Sequence, residues 1–287
     1  MNELTSRTYR VGSIELAADE FPADSPIGLA FLLHGGGQTR HSWKGTAASL
    51  AAAGWTSVTL DTRGHGDSGW ARDGDYSLDA MASDLAGIVG RYRAAGYGDP
   101  VLIGASLGGL TSLVAVGEGL LRARGLVLVD VAPRIEPSGA ARVSDFMRAH
   151  PDGFGSLDEV SVAVAAYNPH RERPASLDGL KKNVRLREDG RWHWHWDPVF
   201  LRPLSETDDP QLADAERLES AAREVTVPTL LVRGRQSDVL SAEGAGEFLR
   251  LVPGARFVDV GGAGHMVAGD DNDVFTREVL AFLGELG

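Results

Sequence analysis

The chain has 287 residues, 43% of them hydrophobic, which suffices for one large domain with a substantial core plus an insertion. Its 40 acidic residues outnumber 28 basic ones, giving a net charge of −12; the basic footprint of nucleic-acid binding is absent, and an anionic membrane surface is disfavoured. Cysteine is absent, which excludes disulfides, thiolate metal sites and a cysteine nucleophile.

No run reaches the roughly 18 apolar residues of a membrane span. Met1 to Thr5 carry no apolar stretch of a secretory signal, so a cytoplasmic location is the expectation. Two short strands are predicted near Arg7–Arg10 and Ser13–Ala17, then a polar loop from Asp19 to Pro26. Leu29 to Leu33 is an apolar strand that runs into His34-Gly35-Gly36-Gly37. Trp43 to Ala53 reads as helix with Gly54 as its stop. Trp55 to Leu60 is the next strand, and Asp79 to Ala95 a helix ended by Gly96. Val101-Leu102-Ile103 is a strand followed by Gly104-Ala105-Ser106-Leu107-Gly108 and a helical stretch from Gly109 to Gly119. Gly125 introduces the β-branched strand Leu126 to Asp130. Strands alternating with helices predict a parallel sheet covered on both faces.

After Asp130 this rhythm breaks. Residues 131–222 carry aromatics, prolines (Pro169 and Pro174 among them) and scattered charge, and are read as an inserted lid between core segments 1–130 and 223–287. Within it, Asn183 to Arg187, an Asp189-Gly190 turn and Arg191 to Trp196 predict a hairpin. Period-two alternation sets Trp192, Trp194 and Trp196 on one face, either lining a pocket or anchoring the lid, and His193 and His195 on a polar opposite face. No third ligand converges on the two histidines, so neither a metal nor another cofactor is expected. The core resumes with the strand Thr229 to Val232, a helix about Ala242 to Leu251, a strand about Arg256 to Val260, and a last helix containing Leu280 to Leu283.

Four of these junctions carry chemistry. Gly104-Ala105-Ser106-Leu107-Gly108 reads G-x-S-x-G between a strand and a helix, the context of a nucleophile elbow; Ser106 is the candidate nucleophile, with the Leu107 N–H facing any oxyanion. A serine hydroxyl needs a base within reach and a carboxylate to orient that base. His265, on the glycine-rich loop Gly261 to Gly264, is the candidate base. Asp238, in a loop just past the strand at 229–232, is the candidate acid; Asp130, at the end of its own strand, is the rival. Glycines after the early strand let a backbone N–H face substrate, with Gly36 the preferred second donor and Gly35 or Gly37 the alternatives. His34 is expected to shape that loop. Trp43 and Trp70, shortly after two of these loops, are candidates for the pocket edge.

These motifs, with Asp61-Thr62-Arg63-Gly64-His65-Gly66-Asp67-Ser68 matching D-x-R-G-x-G-x-S, resemble the α/β-hydrolase superfamily over nearly the whole chain, closest to its lid-bearing esterase, haloperoxidase-like and epoxide-hydrolase-like branch. The resemblance implies a mostly parallel eight-stranded sheet with helices on both faces and a lid after strand six. It further implies a Ser106-Asp238-His265 triad acting through an acyl-enzyme. Ser106 stands where epoxide hydrolases and dehalogenases carry Asp, which argues against an alkyl-enzyme ester. The implied substrate is a small carboxylic ester or lactone, cleaved by water without a cofactor. An amide, a thioester, a carbon–carbon bond, perhydrolysis by the same site and a non-catalytic binding protein are the alternatives. The chain is expected to act as a monomer or homodimer.

Overall fold

The computed structural model describes residues 4–167, 176–201, 214–265 and 273–286. Met1 to Glu3, Pro169 and Pro174 lie outside them. Eight strands form one sheet in the order β1-β2-β4-β3-β5-β6-β9-β10. They are β1 Thr5–Val11, β2 Ile14–Phe21, β3 Gly28–Leu33, β4 Trp55–Leu60, β5 Val101–Ala105, β6 Gly125–Val129, β9 Thr229–Gly234 and β10 Arg256–Val260. β2 runs antiparallel to both neighbours, and the pairs from β4 to β10 are all parallel.

The strand sequences are nearly continuous apolar runs because both faces of the sheet are covered. Alternate residues go to opposite sides. Leu29, Phe31, Leu33, Leu102, Leu126, Leu128 and Leu231 enter a core with α2 (Leu78–Ala94), α3 (Leu107–Gly117), α6 (Ala215–Arg223) and α7 (Ala242–Leu251). Ala30, Leu32, Val101, Ile103, Val127, Val129, Leu230 and Val232 enter a second core with α1 (Lys44–Ala52) and α8 (Asp273–Glu285). Trp43, expected at the pocket edge, is fully buried in this second core, 5.8 Å from the Phe275 ring. That expectation is corrected: the turn Arg40–Trp43 runs directly into α1, and the indole is buried in the core shared with α1 and α8, without exposure to a pocket.

β2 also continues into the expected polar loop. Asp19 stays in the strand because its carboxylate is satisfied there by Ser6 Oγ at 2.7 Å and lies 3.2 Å from the Arg40 guanidinium. Between β6 and β9 lie α4 (Pro137–Arg148), α5 (Leu157–Tyr167), a tight turn Leu177–Lys182, the hairpin β7 Val184–Leu186 with β8 Trp192–Trp194, and a second turn Pro198–Leu201. Gly190 takes the left-handed conformation that the Asp-Gly turn requires. α6, within the span read as lid, packs on α3 so closely that a Cβ on Gly117 would lie 2.2 Å from the Ala221 carbonyl oxygen. Among the described residues no helix is long and apolar enough to cross a membrane.

Candidate active site

Parallel strands bring their carboxyl ends to one edge of the sheet, and crevices form there. Ala105 pairs with Val129 and Val129 with Val232, so Ser106 and Asp130 leave the sheet side by side. Ser106 has φ 45° and ψ −116°, in sparsely populated backbone space for an L-residue. The turn is held by the Ser106 N–H donating to the Val129 carbonyl at 3.1 Å and by the start of α3 immediately after it. It also needs its glycines: a Cβ on Gly104 would sit 2.3 Å from the Gly108 carbonyl oxygen, and one on Gly108 2.5 Å from that of Leu33. Leu107 opens α3, so its N–H has no partner within the helix.

His265 Nδ1 lies 2.7 Å from Asp130 Oδ2, with Asp130 fully buried. With the carboxylate accepting from Nδ1–H, Nε2 keeps its lone pair. The same carboxylate accepts from Ser237 Oγ and from the Gly234 N–H at 2.9 Å, and the Asp130 N–H donates to Val232 at 2.7 Å. Asp130 itself has φ 52°. The left-handed turn at the strand end, the backbone bond to Val232 and the two bonds from Ser237 and Gly234 fix this carboxylate against the histidine.

Asp238 is not the residue set against His265. Its two oxygens receive Arg142 Nε and Nη2, the latter at 2.9 Å, and this pairing holds its carboxyl below the usual range. Packing explains the difference. α4 docks onto the 237–239 loop so closely that a Cβ on Gly139 would lie 2.1 Å from the Asp238 carbonyl oxygen. The Asp238 side chain therefore meets Arg142, whose guanidinium also lies 4.6 Å from the centre of the Tyr167 ring. Ser237, whose role the sequence did not suggest, turns the loop by accepting from the Val239 and Leu240 N–H groups.

The loop after β3 approaches the elbow directly: a Cβ on Gly35 would sit 3.3 Å from Ser106 Cβ. Its three glycine N–H groups differ. That of Gly35 donates to Gln38 Oε1 at 3.0 Å, and that of Gly37 to His65 Nε2 at 3.1 Å. Among the described residues, the Gly36 N–H donates to no protein acceptor. His34 accepts the Thr62 N–H at Nε2, 3.1 Å, which leaves its Nδ1–H to donate to the Gly35 carbonyl at 2.8 Å. Burial drives both imidazoles to the neutral form, His34 down to about 4 and His65 to about 3.

The D-x-R-G-x-G-x-S loop is a scaffold for this arrangement. Asp61 accepts from the Arg40 N–H at 2.6 Å and the Asp67 N–H at 2.9 Å, while Arg63 forms two bonds to Asp84 at 2.7 and 2.8 Å. Trp194 and Trp196 stack at 4.8 Å beside Phe146, and Trp196 packs on Gly37; Trp192 joins the same apolar cluster. His193 and His195 do not share a polar face. His193 pairs with Asp189 at 2.7 Å, whereas His195 is buried and accepts the Gly66 N–H at 2.7 Å. The strand stops at Trp194, so the alternation ends before His195. Trp70, by contrast, is 45% exposed, with the Arg187 guanidinium 5.6 Å from its ring centre. Among the described residues no group of three or more His, Asp or Glu side chains is placed to hold a metal ion.

Comparison with known proteins agrees with this architecture. The sequence-family model described as alpha/beta hydrolase fold matches residues 31–271. Esterase Rv0045c of Mycobacterium tuberculosis is 30% identical over 83% of this chain and 76% of its own length. The 2-(acetamidomethylene)succinate hydrolase of Mesorhizobium japonicum is 31% identical over 80% of this chain and 78% of its own. A crystal structure of E-2-(acetamidomethylene)succinate hydrolase superposes with a TM-score of 0.81 at 25% identity, covering 98% of this chain and 100% of that one.

Proposed function

This chain belongs to the α/β-hydrolase family and is a hydrolase of that type, and on that premise we propose that it cleaves a small carboxylic ester or lactone through an acyl-enzyme on Ser106, with His265 as base and Asp130 as the acid. The observation that carries the reading is the strained elbow at Ser106, beside the buried Asp130–His265 pair at 2.7 Å.

His265 Nε2 takes the proton from Ser106 Oγ as the oxygen attacks the carbonyl carbon. The carbonyl π electrons move onto oxygen, where the N–H groups of Leu107 and Gly36 form the oxyanion hole. Gly36 is supported for this role because the neighbouring N–H groups are committed elsewhere. Asp130 holds the imidazole tautomer and stabilises the imidazolium. Collapse of the intermediate expels the alcohol, which takes its proton from His265. Water then attacks the acyl-enzyme with His265 as base again, releasing the acid and restoring Ser106. A developing negative charge next to preorganised donors is where such sites gain most of their rate, about 10²–10³-fold per donor.

Segment 131–222 is read as the lid. Its Met147 and Trp196 lie against the loop of Gly36 and Gly37, with Trp194 and Phe146 packed on Trp196, which supports an apolar wall for the acyl group. A second reading, amide hydrolysis, draws support from the 31% identity to the Mesorhizobium enzyme, whose name carries an acetamido group. The experiment is hydrolysis of p-nitrophenyl esters from acetate to decanoate, with the matching p-nitroanilides, by wild type and Ser106→Ala, alongside labelling by a fluorophosphonate probe. Ester turnover and labelling by wild type alone are expected. Preference for the anilides would favour the amide reading, and full turnover by Ser106→Ala would refute both.

A further inference from the structure

His195 is the one side chain of β8 and its extension that leaves the lid's apolar cluster and enters the catalytic edge of the core. It is 2% exposed, yet it carries two ring nitrogens that must find partners there. Nδ1 accepts the Gly66 N–H at 2.7 Å, which makes Nε2 the protonated nitrogen, and Nε2–H donates to the Gly37 carbonyl at 3.4 Å. The ring lies 5.8 Å from that of His65, which receives the N–H of the same Gly37. Gly37 is therefore held at both ends, its N–H by a core histidine and its C=O by a lid histidine.

We infer that His195 is a positioning residue for the oxyanion hole, through which the lid fixes the loop that presents the Gly36 N–H. The inference rests on the serine-hydrolase reading above. Three consecutive peptides of the loop are clamped by imidazoles. The Gly35 carbonyl, which shares its peptide with the Gly36 N–H, is held by His34, and the two peptides that follow are held at the Gly37 N–H by His65 and at the Gly37 carbonyl by His195, so the Gly36 N–H has one direction left. His34 and His65 belong to the core. His195 alone arrives with the lid, so the donor reaches its working position only when β8 is seated. His195 acts a second time through the His65–Gly66 peptide, whose N–H it accepts, and so steadies the backbone that carries His65. No contact between His195 and the reacting atoms is required.

A positioning role predicts a loss confined to transition-state stabilisation. The test compares an oxo ester with its thiono analogue (C=S in place of C=O) in wild type, His195→Asn and His195→Phe. Sulfur is a weak hydrogen-bond acceptor, so the thiono ester gains little from the two N–H donors. His195→Asn places an oxygen where Nδ1 stood and keeps the Gly66 tie but loses Gly37; His195→Phe keeps the ring shape and loses both ties. Wild type is expected to prefer the oxo ester strongly. Both variants are expected to lose kcat on it by about 10²-fold with little change in KM, because a loop displaced by about 1 Å forfeits one donor, and to lose little on the thiono ester, so the preference collapses. Should His195→Phe fail to fold, His195→Asn alone decides. A strong wild-type preference that survives in folded His195→Asn, or an equal fall on both substrates, overturns the role of His195 and leaves the serine reading standing. Absence of any oxo preference in wild type overturns the oxyanion-loop reading and the role of His195 with it.

Discussion

Asp130 and Asp238 separate sharply under isosteric replacement. In Asp130→Asn the side-chain oxygen stays on the Gly234 N–H, an obligatory donor at 2.9 Å, so the amide nitrogen takes the place of Oδ2. That nitrogen then points its hydrogens at His265 Nδ1, 2.7 Å away in the native structure. The imidazole answers by moving its proton to Nε2, and a protonated Nε2 cannot accept from Ser106. A wrong-tautomer histidine costs about 10⁴ in kcat, about 5.4 kcal/mol of barrier. Asp238→Asn instead breaks an ion pair with Arg142 in which the side chains are 40% and 42% exposed. Such pairs are worth about 0–1 kcal/mol, so kcat should stay within about fivefold. The assay is steady-state hydrolysis of the best p-nitrophenyl ester, with thermal unfolding run beside it to show that both variants fold. A 10⁴-fold fall in Asp238→Asn with Asp130→Asn near wild type would refute the assignment of the acid.

Two further predictions concern stability. Gly104→Ala should destabilise by about 1–3 kcal/mol, since its Cβ would meet backbone at 2.3 Å rather than a side chain able to move; this corresponds to about 2–4 °C of Tm per kcal/mol in a chain of this size, and an unchanged Tm would contradict it. His34 and His65 titrate near 6.5 when unfolded but only at about 4 and about 3 when folded. Below pH 6.5 the unfolded state therefore binds more protons, so stability is full above that pH and falls as pH drops, by about 1.4 kcal/mol per unit per histidine, until each folded value is reached. Urea unfolding at pH 7, 6 and 5 should show a shallower loss in His65→Gln than in wild type. Identical slopes would remove His65 as a contributor.

The elements of the proposed site differ in how far the chain itself announces them. The elbow was legible because its requirements are contiguous: an apolar strand, small residues at 104 and 108, a serine between, a helix after. Strands β3 to β6 were legible for a similar reason, since burial on both faces writes an unbroken apolar run. The acid was not. Asp130 and Asp238 each follow a strand, β6 and β9, that are neighbours in the sheet, so linear order treats them alike. What separates them is the left-handed turn at Asp130 and the arrival of α4 with Arg142 over Asp238, a contact between segments far apart in the chain. Trp43 misled because position near a loop does not say which face of the sheet a ring will enter. His195 was hidden because period-two alternation holds only while a strand lasts, and its partners Gly37 and Gly66 come from other loops.

The sequence by itself therefore determined the strand pattern, the turn at Ser106 and the glycine-rich loop that carries His265, all of which depend on residues a few positions apart. Only the tertiary structure decided which carboxylate meets His265, which loop glycine keeps its N–H unpaired among the described residues, and where Trp192, Trp194, Trp196, His193 and His195 go. Those outcomes depend on short-range forces, hydrogen bonds and close packing, acting between groups that only the folded sheet and its docked insertion bring within 3–4 Å of one another.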